Sequence, residues 1–260
     1  MASDRIPEAA YELGELREDF RVSQSELILS LLSIPIVLGL LGGIVLVRMP
    51  QILAPSNLLE WMYSVAGVLF AVGCIGSGVI AIARTYTQRH LRVLLFDEGL
   101  VYCHRDGVDV CRWDEVTSTT DSYIQDGKGA IRRFMIQGRF AELVFDETIA
   151  PMNDFHRMVE TIDARVAEQL LPQAAAELSV GKCIDCGTVQ LTADGIMHDN
   201  RLLPWSEFEW IGSRQCYVAI EQSGASTPWA SVPSGDIKNK HLLIELATQF
   251  SKSGEYALTS

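Results

Sequence analysis

Basic residues are scarce in this chain of 260 residues: 21 Lys and Arg stand against 33 Asp and Glu, a formal net charge of −12. From Val93 to Ser260 the balance is 14 against 25. A surface of that sign does not neutralise phosphates, which excludes nucleic acid as a partner. It also speaks against docking on anionic headgroups, which favour clustered Lys and Arg. Enzyme signatures are missing too. There is no glycine-rich phosphate loop, no His-Glu-x-x-His and no Gly-x-Ser-x-Gly, and the five histidines (90, 104, 156, 198 and 241) show no motif-level pairing with a nucleophile. The many carboxylates read as a solvated face. No cofactor is expected, and the chain reads as non-enzymatic.

Charge is absent altogether from two apolar runs, Leu27–Val47 and Trp61–Ala83. Each is long enough to cross a hydrocarbon core as a helix. The expectation is a two-helix transmembrane hairpin over 26–84, with spans at 27–47 and 61–83. Twenty-six mostly polar residues precede the first span, which argues against a cleavable signal peptide. Arg17, Arg21, Arg84, Arg89 and Arg92 flank the hairpin outside, against Arg48 alone in its loop, which predicts cytoplasmic termini. Gly39 and Gly43 in the first span, and Gly67, Ala71, Cys74 and Gly78 in the second, recur at the spacing that lets helix backbones approach closely. They serve the hairpin's own packing, self-association or docking on another membrane protein. Neither span holds an ionisable residue, so no intramembrane ion site is expected. Before the spans, over 1–25, Leu13, Leu16 and Phe20 predict a short amphipathic helix with an acidic polar face.

Beyond the second span the pattern changes to strands, and it does so twice. Leu91–Phe96, Asp97-Glu98-Gly99, a strand, a turn at Asp106-Gly107 and Val108–Trp113 form one series. Val189–Thr192, Ala193-Asp194-Gly195, a strand, a turn near Asp199-Asn200 and Arg201–Trp205 form the other. Asp-Gly and Glu-Gly between extended apolar runs are hairpin signals, since Gly supplies the backbone freedom of tight turns. The frame Gly99…Trp113-Asp114-Glu115 returns as Gly195…Trp205-Ser206-Glu207. More strand-like text follows in each copy, then an amphipathic helix. The first helix carries Phe155, Met158, Val159, Ile162, Val166 and Leu170 at helical spacing, the second Leu242, Leu243, Leu246 and Phe250. The predicted organisation is a first domain at 85–171, a connector at 172–181 after a helix stop at Pro172, a second domain at 182–252 and a tail at 253–260.

These residues resemble the bacterial pleckstrin-homology-like (PH-like) domains found in membrane proteins of uncharacterised function: an Asp-Gly turn between strands, a Trp-x-Glu strand end, further meander and a closing helix. The resemblance implies a fold class of a transmembrane α-helical hairpin followed by α+β, with two tandem PH-like β-meander or barrel domains, each closed by a C-terminal helix. It implies a multi-pass protein of the bacterial inner membrane with both termini and both domains cytoplasmic. Eukaryotic relatives bind phosphoinositides through basic residues near the first hairpin. Phe96-Asp97-Glu98-Gly99 and Thr192-Ala193-Asp194-Gly195 stand there in this chain, which speaks against inositide binding.

Recurrence at one frame position assigns Trp113 and Trp205, with Gly99 and Gly195, to the repeat core rather than to ligand contact. Trp210 and Trp229 are the candidate binding residues, as exposed aromatics for a partner. Cys183 and Cys186 form the lone Cys-x-x-Cys, a weak candidate thiolate knuckle without a second pair at that spacing. The main functional expectation is a membrane-anchored interaction or scaffold module that presents two acidic domains to a protein partner or to itself. One alternative is a sensor of a small molecule or lipid, with its pocket between the domains. Another is a zinc- or redox-linked protein using Cys183 and Cys186.

Overall fold

A computed structural model describes residues 12–21, 91–105, 107–126, 129–140, 142–147, 155–214 and 216–257, with the single positions Met62, Val65 and Gly76. One order of elements occurs twice. The first series is β1 (Leu16–Arg21), β2 (Arg92–Phe96), β3 (Gly99–His104), β4 (Gly107–Arg112), a 3-10 turn at Trp113–Glu115, β5 (Val116–Asp126), β6 (Gly129–Gly138), β7 (Glu142–Asp146) and α1 (Phe155–Ser179). The second is β8 (Ile184–Cys186), β9 (Val189–Thr192), β10 (Gly195–His198), β11 (Arg201–Pro204), a 3-10 turn at Trp205–Glu207, β12 (Phe208–Arg214), β13 (Tyr217–Gln222), β14 (Ala230–Pro233), a 3-10 turn at Ser234–Asp236 and α2 (Lys240–Ala257). Strands β1-β2-β3-β4 and β8-β9-β10-β11 form four-stranded sheets, and β5-β6-β7 and β12-β13-β14 form three-stranded ones.

The likeness extends to individual bonds. The Trp113 backbone N–H donates to the Glu98 carbonyl at 3.0 Å, and that of Trp205 donates to Asp194 at 3.2 Å. The Trp113 indole N–H reaches the Phe96 carbonyl at 3.2 Å; that of Trp205 reaches Thr192 at 3.2 Å and Ala193 at 3.0 Å. Arg139 N–H donates to Glu115, and Ser223 N–H to Glu207, at 3.0 and 2.8 Å. A Cβ on Gly99 would lie 2.5 Å from the Cys111 carbonyl oxygen, and one on Gly195 would lie 2.0 Å from that of Leu203. The glycine in each frame is therefore required by the close approach of the next hairpin strand. The indole then ties the strand's far end to the turn before that glycine.

The N-terminal segment belongs to the first series. Leu16–Arg21 is a strand rather than the expected amphipathic helix. Leu13 and Phe20 are buried while Leu16 is exposed, so the apparent helical spacing joined a loop residue to an alternating strand. Asp97 and Glu98 N–H donate to the Glu15 and Leu13 carbonyls at one end of the pair. At the other end Arg92 grips Asp19 through two 2.8 Å bonds. The two strands thus run antiparallel, with residues 22–91 joining their adjacent ends. In the second series the corresponding join is Gly187-Thr188, where Gly187 takes φ +88° and Cys186 pairs with Val189.

Helix α1 serves both repeats. Phe155, Met158, Val159, Ile162 and Val166 are buried along its first turns. Ala167, Ala174 and Leu178 join the core formed by Leu191, Ile196, Val218, Ile220, Leu243 and Leu246 of the second repeat. The helix therefore passes through Pro172 to Ser179, where a stop and a connector were expected. An interior proline costs about 3 kcal/mol, and a fully buried Leu such as Leu178 returns about 1.5–3 kcal/mol. Half-buried Leu171 and Ala175 add to that. The end comes at Gly181 (φ +81°), where Lys182 N–H donates to Glu177 and Gly181 N–H to Leu178, both at 3.0 Å. This is a Schellman closure.

The expected fold class is corrected by these observations. The described residues form four sheets built from antiparallel strand pairs, with two helices, and among them no helix is long and apolar enough to cross a membrane. The physical reason is that α1 carries His, Arg, Asp and Glu, and α2 Lys, His and Glu, between their apolar positions, so each is amphipathic. With that finding the helical hairpin, the multi-pass assignment, the two-span integral-membrane partner and the inner-membrane location are all overturned. Apart from Met62, Val65 and Gly76, the spans themselves, at 27–47 and 61–83, fall outside the described residues, as do Gly39, Gly43, Gly67, Ala71, Cys74 and Gly78.

Two outcomes follow from this architecture. Leu178→Ala should destabilise the folded unit by about 2–5 kcal/mol, and a urea melt should show both repeats losing structure in one transition because they share α1. Replacing residues 22–91 by Gly-Thr, on the pattern of the second repeat, should leave a chain that melts cooperatively with a strand-rich circular dichroism spectrum. Loss of cooperative melting would mean that β1 is not held to β2 by its own contacts.

Candidate functional site

Strand parity first selects the residues of the site. On β6, Arg132 shares a face with Phe134 and Ile136, both fully buried, so it is turned inward. On β5 the inward row is Thr119, Asp121 and Tyr123, with Asp121 opposite Phe134 and Tyr123 opposite Arg132. An arginine and an aspartate thus meet diagonally on the buried face of one hairpin. Arg132 holds both Asp121 oxygens, Nε to Oδ1 and Nη2 to Oδ2, each at 2.9 Å. Lys240, the first residue of α2, adds a third bond to Asp121 Oδ2 at 2.8 Å.

The second repeat reaches this point because its helix begins on β5. Thr119 N–H donates to Asn239 Oδ1 at 2.8 Å, and Asn239 N–H returns a bond to the Thr119 carbonyl at 2.9 Å. Asn239 has φ +50°, a conformation Asn tolerates better than most residues. Its own carbonyl accepts from Leu243 N–H at 3.0 Å, which starts the helix.

Between α1, α2 and the β5–β6 hairpin lies an open cleft of about 960 Å³. Asp121, Arg132 and Lys240 form its floor, with side chains 3%, 6% and 14% exposed. His156 and Glu160 line it from α1, His241 and Glu245 from α2, and Ser213 from β12. Arg132 Nη1 meets His156 Nδ1. Arginine has no lone pair to offer, so Nδ1 accepts, and the ring's Nε2–H points at Glu160 Oε1, 2.9 Å away. A chain of four groups, Asp121, Arg132, His156 and Glu160, thereby runs from floor to rim.

Burial opposes ionisation of Asp121, but the hydrogen bonds and charges of Arg132 and Lys240 outweigh it and hold the carboxyl below its ordinary range. Asp163 shows the opposite balance. It is buried beside the cleft, accepts from the Thr119 hydroxyl, and is pushed up by burial, which that bond and the charges of Lys240 and His241 only partly offset.

None of the candidate site residues Trp113, Trp205, Trp210, Trp229, Cys183 and Cys186 lines this cleft. Trp113 is buried, and Trp205 is half-buried against Phe208 and Phe250. The Trp210 ring lies over Gly212 and is 40% exposed, with the Arg214 guanidinium 5.4 Å from its centre. Trp229 is covered by Arg201 at 5.1 Å and meets His198 edge-on. Both candidate binding rings are thus partly occupied by their own arginines. Cys186 sits wholly in the core with its thiol pushed up to about 12 by burial. Cys183 is exposed and donates to Gln190 Oε1. The pair is thus divided between core and surface. Among the described residues, no group of three or more His, Cys, Asp and Glu is placed to hold a metal ion.

The chain matches, over residues 1–255, the model of a family of unknown function, DUF6585. It belongs to the DUF6585 family. No curated protein and no solved structure matches it. What this DUF6585 chain does must therefore be argued from its own cleft. The signal that sequence reading passed over is the parity of Arg132 with Phe134 and Ile136, and of Asp121 with Thr119: charge on the inward row of two neighbouring strands.

The two aspartates have opposite pH signatures. Asp121 contributes stability that is present above its unfolded value near 3.8 and is lost as pH falls through its lower folded value. Asp121→Asn should cost about 3–5 kcal/mol at pH 7, by leaving two buried cations short of their partner, and much less in acid. Asp163 favours its protonated form when folded, so its contribution is full below 3.8 and declines as pH rises through its higher folded value. Asp163→Asn, whose amide oxygen can still accept from Thr119, should gain stability relative to the parent as pH rises from 4 to 7. Denaturant melts at several pH values check both.

Proposed function

We propose that this protein is a non-enzymatic small-molecule binding module, with its ligand held in the cleft where the two repeats meet. The observation that carries the reading is the floor. Two buried cations share one carboxylate at the base of an open cleft whose walls come from both repeats. Its volume falls within the range of pockets that take drug-sized ligands, about 300–1,000 Å³. Asp121 engages three N–H groups and leaves Arg132 and Lys240 with donors to spare, since a guanidinium carries five and an ammonium three. Such donors fix the orientation of a polar ligand, while Val159, Leu171 and Ile244 supply apolar wall.

This is the sensor alternative of the sequence reading rather than its scaffold reading. An interaction surface built on Trp210 and Trp229 has less support, because Arg214 and Arg201 already stack on those rings. The ligand would act on the joint itself. A molecule touching α1, α2 and the β5–β6 hairpin together stabilises their docked arrangement by mass action, by about 2.7 kcal/mol at a concentration of one hundred times Kd.

The test is native mass spectrometry of the purified full-length chain after incubation with a fractionated small-molecule extract, followed by a thermal melt with each retained compound. A compound that raises the melting temperature of the parent, and does so at least ten-fold less potently in Lys240→Met, supports the reading. Lys240→Met keeps the aliphatic stem on α2, and its fold is checked by its own melt. Compounds that bind both proteins equally, or an extract that yields no binder, would sink the proposal.

A further inference from the structure

The charges that line the cleft are sorted by depth. Its floor holds one carboxylate and two cations, all nearly buried, so Asp121, Arg132 and Lys240 together carry +1. Its rim holds Glu160, Glu168 and Glu245, with side chains 62%, 73% and 43% exposed, and a single full cation, Arg165. Arg165 is engaged with Glu168 at 3.1 Å. The rim's other partners are His156 on Glu160 and His241 on Glu245. Asp163, the remaining acid of the lining, is buried and turned to the Thr119 hydroxyl, and burial raises its pKa.

A ligand entering this cleft meets a negative mouth and a positive base. An anion alone gains at the base but passes three carboxylates on the way; a cation alone gains at the mouth and is repelled at the base. One class of molecule is attracted by both. We infer that the ligand is a small zwitterion, an amino-acid-like molecule whose acid group bonds Arg132 and Lys240 on the floor and whose ammonium group bonds Glu160 and Glu245 at the rim. This rests on the cleft being a ligand site, as proposed above, and adds the chemistry of what fills it.

The two helices set the reach of that molecule. Lys240 and Glu245 are five residues apart on α2, an axial separation of about 7.5 Å. Glu160 stands opposite on α1, held toward the cleft by His156 and so by Arg132. An acid and an ammonium separated by four or five methylene groups span such a distance, and the apolar side chains of Val159 and Ile244 lie along the lining between the two ends.

Isothermal titration of the full-length chain with 6-aminohexanoate, hexanoate and hexylammonium separates the two ends. The expected result is that 6-aminohexanoate binds at least ten-fold more tightly than either single-charge analogue, and that Glu160→Gln combined with Glu245→Gln lowers its affinity to that of hexanoate. Both glutamates are exposed, so the double variant should fold as the parent does. Hexanoate affinity should be unchanged or improved in that variant, a readout that general damage to the cleft would not give. Hexanoate or hexylammonium binding as tightly as 6-aminohexanoate would overturn the zwitterion assignment while leaving a ligand cleft in place. If none of the three binds but the extract screen returns a compound sensitive to Lys240→Met, the assignment falls and the cleft reading stands. If neither experiment finds a binder, both fall.

Discussion

The Asp121 carboxylate accepts two hydrogen bonds from Arg132 on the neighbouring strand and one from Lys240 at the head of α2, and the junction of the repeats is arranged around it. Each partner is drawn from a different element: β5, β6 and the helix that closes the second repeat. Buried charges of this kind cost several kcal/mol each in desolvation. They persist where geometry satisfies all of them at once, as the paired bonds from the guanidinium do here. The pair of hydrogen bonds between Thr119 and Asn239 is set two residues along the same strand from Asp121 and fixes where α2 begins. Moving Asn239 would withdraw Lys240 from the acid, so the docking of one repeat on the other and the charge of the cleft floor are set together.

Helix α1 is the second tie. Its first half covers the first repeat and its second half contributes Ala167, Ala174 and Leu178 to the core of the second. The second repeat's strands are short, from three to seven residues. Two small sheets of that size bury little surface by themselves, and small cores are correspondingly marginal. The shared helix supplies apolar area that α2 alone does not.

Much of the repeat could be read from the order of residues, because its signals are local. Gly99 and Gly195 sit at matching places before a tryptophan and an acid, and the hairpin turns carry Gly, Asp and Asn. The helices were visible from Phe155 to Val166 and from Leu242 to Phe250 by their spacing. What escaped was non-local. Leu16–Arg21 is a strand only because β2 lies beside it across residues 22–91, and Pro172 stays helical only because a second core is waiting for Leu178. The transmembrane hairpin was read from the absence of charge over long runs, whereas the described helices have charge on one face and apolar residues on the other. The cleft was hidden for a related reason. Asp121, Arg132, His156 and Lys240 are scattered in sequence and meet only when strand parity and helix docking are combined. The tryptophans, conspicuous as letters, turned out to be packed or stacked by their own arginines.

The two repeats differ most in how their first two strands are joined. Gly187 and Thr188 are enough to turn β8 into β9, so that hairpin can close as soon as its residues leave the ribosome. The pair β1 and β2 must instead bring Asp19 and Arg92 together across a long stretch of sequence, and chain closure over a longer stretch costs more entropy and occurs later. The half of the molecule translated first is therefore the half whose sheet is completed with more difficulty. Assembly of the first sheet around an already formed β2-β3-β4 meander, with β1 added last at its edge, is the order that loop entropy favours. The N-terminal strand then acts as a late clasp on a largely finished body.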